Sequence, residues 1–110
     1  MDFTAKKVLV TGGSRGIGLA ISTAFAAAGA NVAIVYRAND SAAAAALAQL
    51  PGAGHSIHRA DIVDPEQVRL VVDAAAKKLG GLDIVVNNAG IGDYHPIDST
   101  TYQQWQDAWQ

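Results

Sequence analysis

"TGGSRGIG", residues 11–18, follows directly on the apolar run Val8-Leu9-Val10. Its glycines at 12, 16 and 18 are spaced by four and then by two. A short run rich in β-branched residues that ends in glycine reads as a buried strand, Lys7 to Thr11, closed by a sharp turn. Beyond the turn, Ile17, Ala20, Ile21, Ala24, Phe25 and Ala28 recur at helical spacing, and Gly29 supplies the stop. The glycines therefore join a strand to a helix.

Asn31 to Tyr36 (NVAIVY) is a second apolar strand. Asn39 or Asp40 caps a helix through the alanine tract to Leu50, where Pro51-Gly52 breaks it. Alanine is the best helix former, and Leu47 and Leu50 supply the packing of this surface helix. His55 to Ala60 reads as a weaker, more polar strand. Asp64 then serves as N-cap, Pro65 takes the first helical position and Gln67 closes a capping box. Val68, Val71, Val72, Ala75 and Leu79 carry that helix's apolar face to Gly80-Gly81. Leu82 to Val86 (LDIVV) is a fourth strand, followed by Asn87-Asn88-Ala89-Gly90 and a loop to about Pro96. Asp98 or Ser99 caps a last helix with Tyr102, Trp105 and Trp109 on one face.

Strands of about six residues alternating with helices of about twelve demand a parallel sheet, because each helix returns the chain to start the next strand in the same direction. With right-handed crossovers the expected architecture is α/β, a Rossmann-type doubly wound parallel sheet of four strands in the order 3-2-1-4. No internal repeat or interdomain linker interrupts residues 1–110, so one domain is expected.

Bulk properties narrow the function. The 110 residues are 50% hydrophobic and 16% charged, below the usual charged share of about 25% and typical of a well-buried globular chain. A net charge of −2 leaves no basic footprint for nucleic acid or anionic membrane. The absence of cysteine rules out disulfides and thiolate metal sites, and fits a reducing cytoplasm. The apolar run after Lys6-Lys7 is too short for a signal sequence, and no stretch approaches the ~18 apolar residues that would span a bilayer. A soluble, cytoplasmic chain is expected, and no metal site.

A loop between the first strand and the first helix of such a sheet lies at the carboxyl edge, beside the switch point. There a helix offers unpaired N–H groups and about half a positive charge, which suits a pyrophosphate, and glycines let a ligand approach the backbone. A plain tight turn explains one glycine better than three at these offsets.

The pattern is T-G-x-x-x-G-x-G. Together with "NNAG" at 87–90 and "ADIVD" at 60–64, each after its own strand, it resembles the short-chain dehydrogenase/reductase family over nearly all of the chain. The resemblance implies that Gly12, Ser14, Arg15, Gly16, Ile17 and Gly18 surround the phosphates and adjacent ribose of a dinucleotide. It implies that Asp61 accepts from the adenine amino group with Ile62 beside it, the plainer role for Asp61 being to cap the turn toward Asp64. It also implies that Asn88, Ala89 and Gly90 line the cofactor ribose, while Asn87 braces the sheet by bonding its backbone.

The end of the second strand bears on the cofactor. NAD-preferring folds place an acid there for the ribose 2′-hydroxyl. This chain has Tyr36 and then Arg37, and a guanidinium binds a 2′-phosphate that a carboxylate repels. With Arg15 in the glycine loop, NADP(H) is favoured over NAD(H). The missing acid also disfavours a methyltransferase-type sheet.

In the family, a tyrosine and lysine in Y-x-x-x-K act with a serine and usually an asparagine. Here the residues four after Tyr36, Tyr94 and Tyr102 are Asp40, Asp98 and Gln106, and no lysine follows Lys78. No catalytic residue is therefore assigned, and the chain reads as a fragment, incomplete relative to the family. The expectation is the N-terminal portion of an NADP(H)-dependent oxidoreductase that interconverts a carbonyl and a secondary alcohol. The alternative is a non-catalytic nucleotide-binding or interaction module. His55 and His58 read as exposed residues of an edge strand, and His95 as a surface-loop histidine. The Tyr102, Trp105, Trp109 stripe is core or, as the family implies, a face packed between subunits of a homo-oligomer. Without further strands "LDIVV" becomes an unpaired apolar edge, from which marginal stability or association is expected.

Overall fold

The computed structural model describes residues 2–88. The elements run β1 (Lys7–Thr11), α1 (Gly16–Ala27), β2 (Asn31–Tyr36), α2 (Asp40–Gln49), β3 (Ser56–Arg59), α3 (Pro65–Leu79) and β4 (Ile84–Asn87). All pairings are parallel and the strand order is β3-β2-β1-β4, the order the alternation predicts. Leu9 stands opposite Ala33 on one side and Val85 on the other.

Both faces of the sheet are covered, which is why β1 and β2 are continuous apolar runs rather than alternating ones. Successive side chains point to opposite faces. Val8, Val10, Val32, Ile34 and Val86 pack with Ala26 of α1, Ala46 of α2 and Leu50. Leu9, Ala33 and Val35 pack with Val71, Ala75 and Leu79 of α3. The chain is thus wound α1 and α2 on one face and α3 on the other.

The buried stripe of α1 is not the one its apolar spacing suggests. Gly18, Ser22 and Ala26 are buried, while Ile17 is 74% exposed and Ala20 and Ala24 face solvent. Ile21 and Phe25 pack only partly against the core. Small residues at i, i+4 and i+8 let the helix lie close on the sheet, and a count of apolar residues passes over glycine and serine.

Helix starts follow their caps. The Asn39 side chain accepts from the Ala42 N–H at 2.9 Å, and Ala43, Ala46 and Leu50 form the buried side of α2. Asp64 accepts from the Glu66 N–H at 3.0 Å, with Pro65 in the first turn of α3. Gln67 does not close the predicted capping box. The Asp64 N–H already donates to the Asp61 carbonyl at 3.1 Å, so Gln67 reaches further back and accepts from the Asp61 N–H at 2.7 Å.

Two strands start later than predicted because side chains replace backbone partners. At β4, Asp83 Oδ2 accepts from the Lys7 N–H at 2.8 Å, and the regular ladder begins at Ile84. At β3, His55 Nδ1 accepts from the Val32 N–H at 3.1 Å while its Nε2 meets the Pro51 carbonyl at 2.7 Å. His55 is therefore a partly buried brace ahead of the strand rather than an exposed edge residue. His58 is also partly buried, 2.8 Å from the Ser56 hydroxyl. Burial, aided by the Lys78 charge, holds its imidazole below the ordinary range. Among the described residues β4 pairs with β1 alone. The expectations for Ala89, Gly90, His95 and the last helix with Tyr102, Trp105 and Trp109 lie outside the described residues.

Candidate functional site

In a parallel sheet all strands end at one edge, and here the order reverses between β1 and its neighbours β2 and β4. A cleft of about 510 Å³ opens at that edge. Gly12, Ser14 and Arg15 form one wall, the turn Tyr36-Arg37-Ala38-Asn39 after β2 the opposite one, and Asn88 after β4 also lines it.

The start of α1 adjoins this cleft. Arg15 occupies the N-cap position in extended conformation, but no side chain caps the helix and its first turn carries no acid. The first turn of the ladder is the Leu19 N–H to Arg15 carbonyl bond at 3.1 Å, so the N–H groups of Gly16, Ile17 and Gly18 precede it. By contrast, α2 and α3 both have a capping side chain and an acid in the first turn. Positive electrostatic potential is neutralised at two helix starts and left open at the third.

The glycines have separate reasons. Gly16 has φ +53°, a left-handed backbone, and a Cβ there would meet nothing within 4 Å, so the space before the helix is clear. A Cβ on Gly18 would fall on the Gly12 carbonyl and lie 2.6 Å from Asn88 Nδ2. Gly18 thus permits close contact between α1, the loop and the segment after β4.

Hydrogen bonds hold the cradle. Buried Ser22 donates to the Gly18 carbonyl at 2.9 Å, with the Gly13 carbonyl at 3.2 Å. Thr11 Oγ1 accepts from the Asn88 N–H at 3.0 Å and faces the Val86 carbonyl at 3.3 Å and Asn87 Oδ1 at 3.4 Å. Asn88 Nδ2 approaches the Gly12 carbonyl at 3.4 Å. The amide that reaches backbone is therefore that of Asn88, the residue assigned to the ribose, while Asn87 meets the Thr11 hydroxyl.

Charge in the cleft is of one sign. Arg15 and Arg37 are exposed, and neither has an ion-pair partner among the described residues. Among the described residues no carboxylate lines the cleft. The acid nearest in sequence, Asp40, accepts from the Tyr36 hydroxyl at 2.8 Å and pairs with Arg59 at 3.5 Å. That acceptor raises the Tyr36 hydroxyl above its usual pKa.

Of the predicted site residues, Gly12, Ser14, Arg15, Arg37 and Asn88 come together around the cleft. Gly16, Ile17 and Gly18 form the adjoining helix start. Asp61 and Ile62 are not among the lining residues and stand in the turn after β3. Asp61 Oδ1 accepts from the Val63 N–H at 3.1 Å, so the turn-capping role is present and engages one carboxylate oxygen. Tyr36, Ala38 and Asn39 also line the cleft and were not foreseen as lining it. Ser22 was missed too, although a lone serine four residues after Gly18 on a packed helix is a usable signal.

The model of the short chain dehydrogenase family matches residues 6–110. The chain is 39% identical over 108 residues to a 3beta-hydroxysteroid dehydrogenase of Eggerthella lenta, covering 96% of this chain and 41% of that protein. It is 40% identical over 110 residues to a galactitol 2-dehydrogenase of Agrobacterium fabrum, with 96% of this chain and 41% of that one aligned. The crystal structure of a short chain dehydrogenase from Burkholderia cenocepacia in complex with NADP superposes with a TM-score of 0.77 and 43% identity, over 98% of this chain and 45% of that one. The chain spans about two fifths of the length of the curated relatives it matches. By its matched residues, its strand order and its glycine cradle, the chain belongs to the short chain dehydrogenase family and corresponds to its N-terminal part.

Proposed function

We propose that this chain is the cofactor-binding part, one Rossmann-type domain, of an oxidoreductase that uses NADP(H) in preference to NAD(H). The reaction is interconversion of a carbonyl and a secondary alcohol. One observation carries the reading: among the described residues, an uncapped helix start and two arginines without an ion pair, Arg15 and Arg37, adjoin one cleft that no carboxylate lines. The solved relative that holds NADP supports it.

The residues fit that group. The open space at Gly16 and the free helix start suit a pyrophosphate, as an N-terminus without its own acid favours an external anion. Arg37 and Arg15, on the two walls of the cleft, would hold the 2′-phosphate, since guanidinium forks bind phosphate oxygens in pairs. Asn88 would line the ribose, a role the family resemblance also assigns to Ala89 and Gly90. Asp61, whose Oδ1 is engaged by its own turn, would hold the adenine amino group with its second oxygen, with Ile62 as its neighbour in that role. When bound, the nicotinamide supplies the hydride donor or acceptor; this chain's residues bind and orient the dinucleotide. The two curated relatives are named for a steroid and a sugar alcohol, so a shared first half is compatible with unlike substrates.

Titration with NADPH and NADH tests the reading. NADPH binds more tightly, and Arg37→Asp weakens NADPH more than NADH. Equal affinities, or tighter NADH, overturn the preference.

A further inference from the structure

Asp40 is the one carboxylate within four residues of Arg37 in the sequence, and both of its oxygens are engaged by other side chains. Its Oδ1 accepts from the Tyr36 hydroxyl at 2.8 Å and its Oδ2 meets Arg59 Nη1 at 3.5 Å. Arg59 is itself aimed by a second bond, from its Nε to the Arg37 carbonyl at 3.2 Å. The pairing register explains the meeting: Arg59 stands opposite Tyr36 in the β2–β3 ladder, so the last residue of β3 reaches under the turn after β2. Neither Arg59 nor Asp40 lines the cleft.

We propose that Arg59 is a positioning residue for 2′-phosphate recognition, sequestering Asp40 so that the Arg37 guanidinium stays unpaired and the cleft stays free of negative charge. This rests on the NADP(H) reading above and extends it to two residues outside the cleft wall. Without Arg59, Asp40 loses its guanidinium partner, and Arg37 is the cation nearest to it in sequence, three residues away. An Arg37–Asp40 pair would cancel the charge that the 2′-phosphate needs. The Arg59–Asp40 pair is well exposed on both sides, so its value to stability is small. Its effect is on where one negative charge sits.

The test compares binding of adenosine 2′,5′-bisphosphate and 5′-AMP, which differ in the 2′-phosphate alone, to the 110-residue chain. The variants are Arg59→Gln, Asp40→Asn and the two combined. Arg59→Gln weakens the bisphosphate by roughly two- to fivefold, the range of a solvent-screened charge pair, and leaves 5′-AMP unchanged. Adding Asp40→Asn restores the wild-type ratio, because the released side chain is no longer charged. A purely structural role for Arg59 predicts equal weakening of both probes and no rescue. That outcome, or an unchanged ratio in Arg59→Gln, overturns the proposal. Wild-type chain that binds both probes equally removes the NADP(H) reading itself, a result distinguishable from failure of Arg59 alone.

Discussion

Gly18→Ala puts the packing of the glycine cradle to a quantitative test. In an ordinary helix position the change is favourable by about 1 kcal/mol, since alanine is the better helix former. At Gly18 the new Cβ lands on the Gly12 carbonyl and 2.6 Å from Asn88 Nδ2. Neither side yields easily. The Gly12 N–H is tied to the Val35 carbonyl at 2.8 Å, and Ser22 holds the Gly18 carbonyl at 2.9 Å. Overpacking against fixed groups costs about 1–3 kcal/mol, and a backbone obstacle belongs at the upper end. The net loss is about 2 kcal/mol, or roughly 8 °C in Tm for a chain of this size. Because the displaced groups, Gly12 and Asn88, line the cleft, cofactor affinity falls as well. Gly16→Ala is the control: it meets a backbone penalty of about 1–2 kcal/mol at φ +53° but no neighbour within 4 Å. The assay is thermal unfolding followed by circular dichroism, with NADPH titration of each variant. A Gly18→Ala chain that melts with wild type and binds NADPH equally well refutes the close-contact account.

Ser22→Ala deletes the buried donor facing the Gly18 and Gly13 carbonyls and destabilises the chain by about 1–3 kcal/mol, read from urea unfolding; an unchanged midpoint would mean the hydroxyl is dispensable. His58 gives a pH dependence. Its folded-state pKa is depressed by burial and by Lys78, so below the ordinary value near 6.5 the unfolded chain takes up the proton first. Stability is full above that value, declines as pH falls toward the folded pKa, and levels off below it. His58→Gln flattens this slope in urea midpoints taken between about pH 7.5 and 5; identical slopes in the two proteins would remove His58 as the cause.

Element type and order were readable because each rests on a local pattern. Continuous β-branched runs give β1 and β2, and Asn39, Asp64 and Pro65 mark helix starts. The face of α1 was misread because its contact is made by Gly18, Ser22 and Ala26, whose small size rather than hydrophobicity brings the helix to the sheet. The starts of β3 and β4 were misplaced because His55 and Asp83 side chains stand in for backbone partners, a choice that depends on the neighbouring strand. At the site, the glycine loop was readable from spacing. The Tyr36–Asp40–Arg59 contact was not, since Arg59 is 19 residues from Asp40 and the two meet only through the β2–β3 register.

The proposed seat of the dinucleotide pyrophosphate is the start of α1. Its most direct test is an amide-resolved NMR titration of the 110-residue chain with NADP⁺. The largest shifts are expected on the Gly16, Ile17 and Gly18 amides, with Arg37 moving in the same titration. Saturation by NADP⁺ that leaves those three amides in place would contradict it.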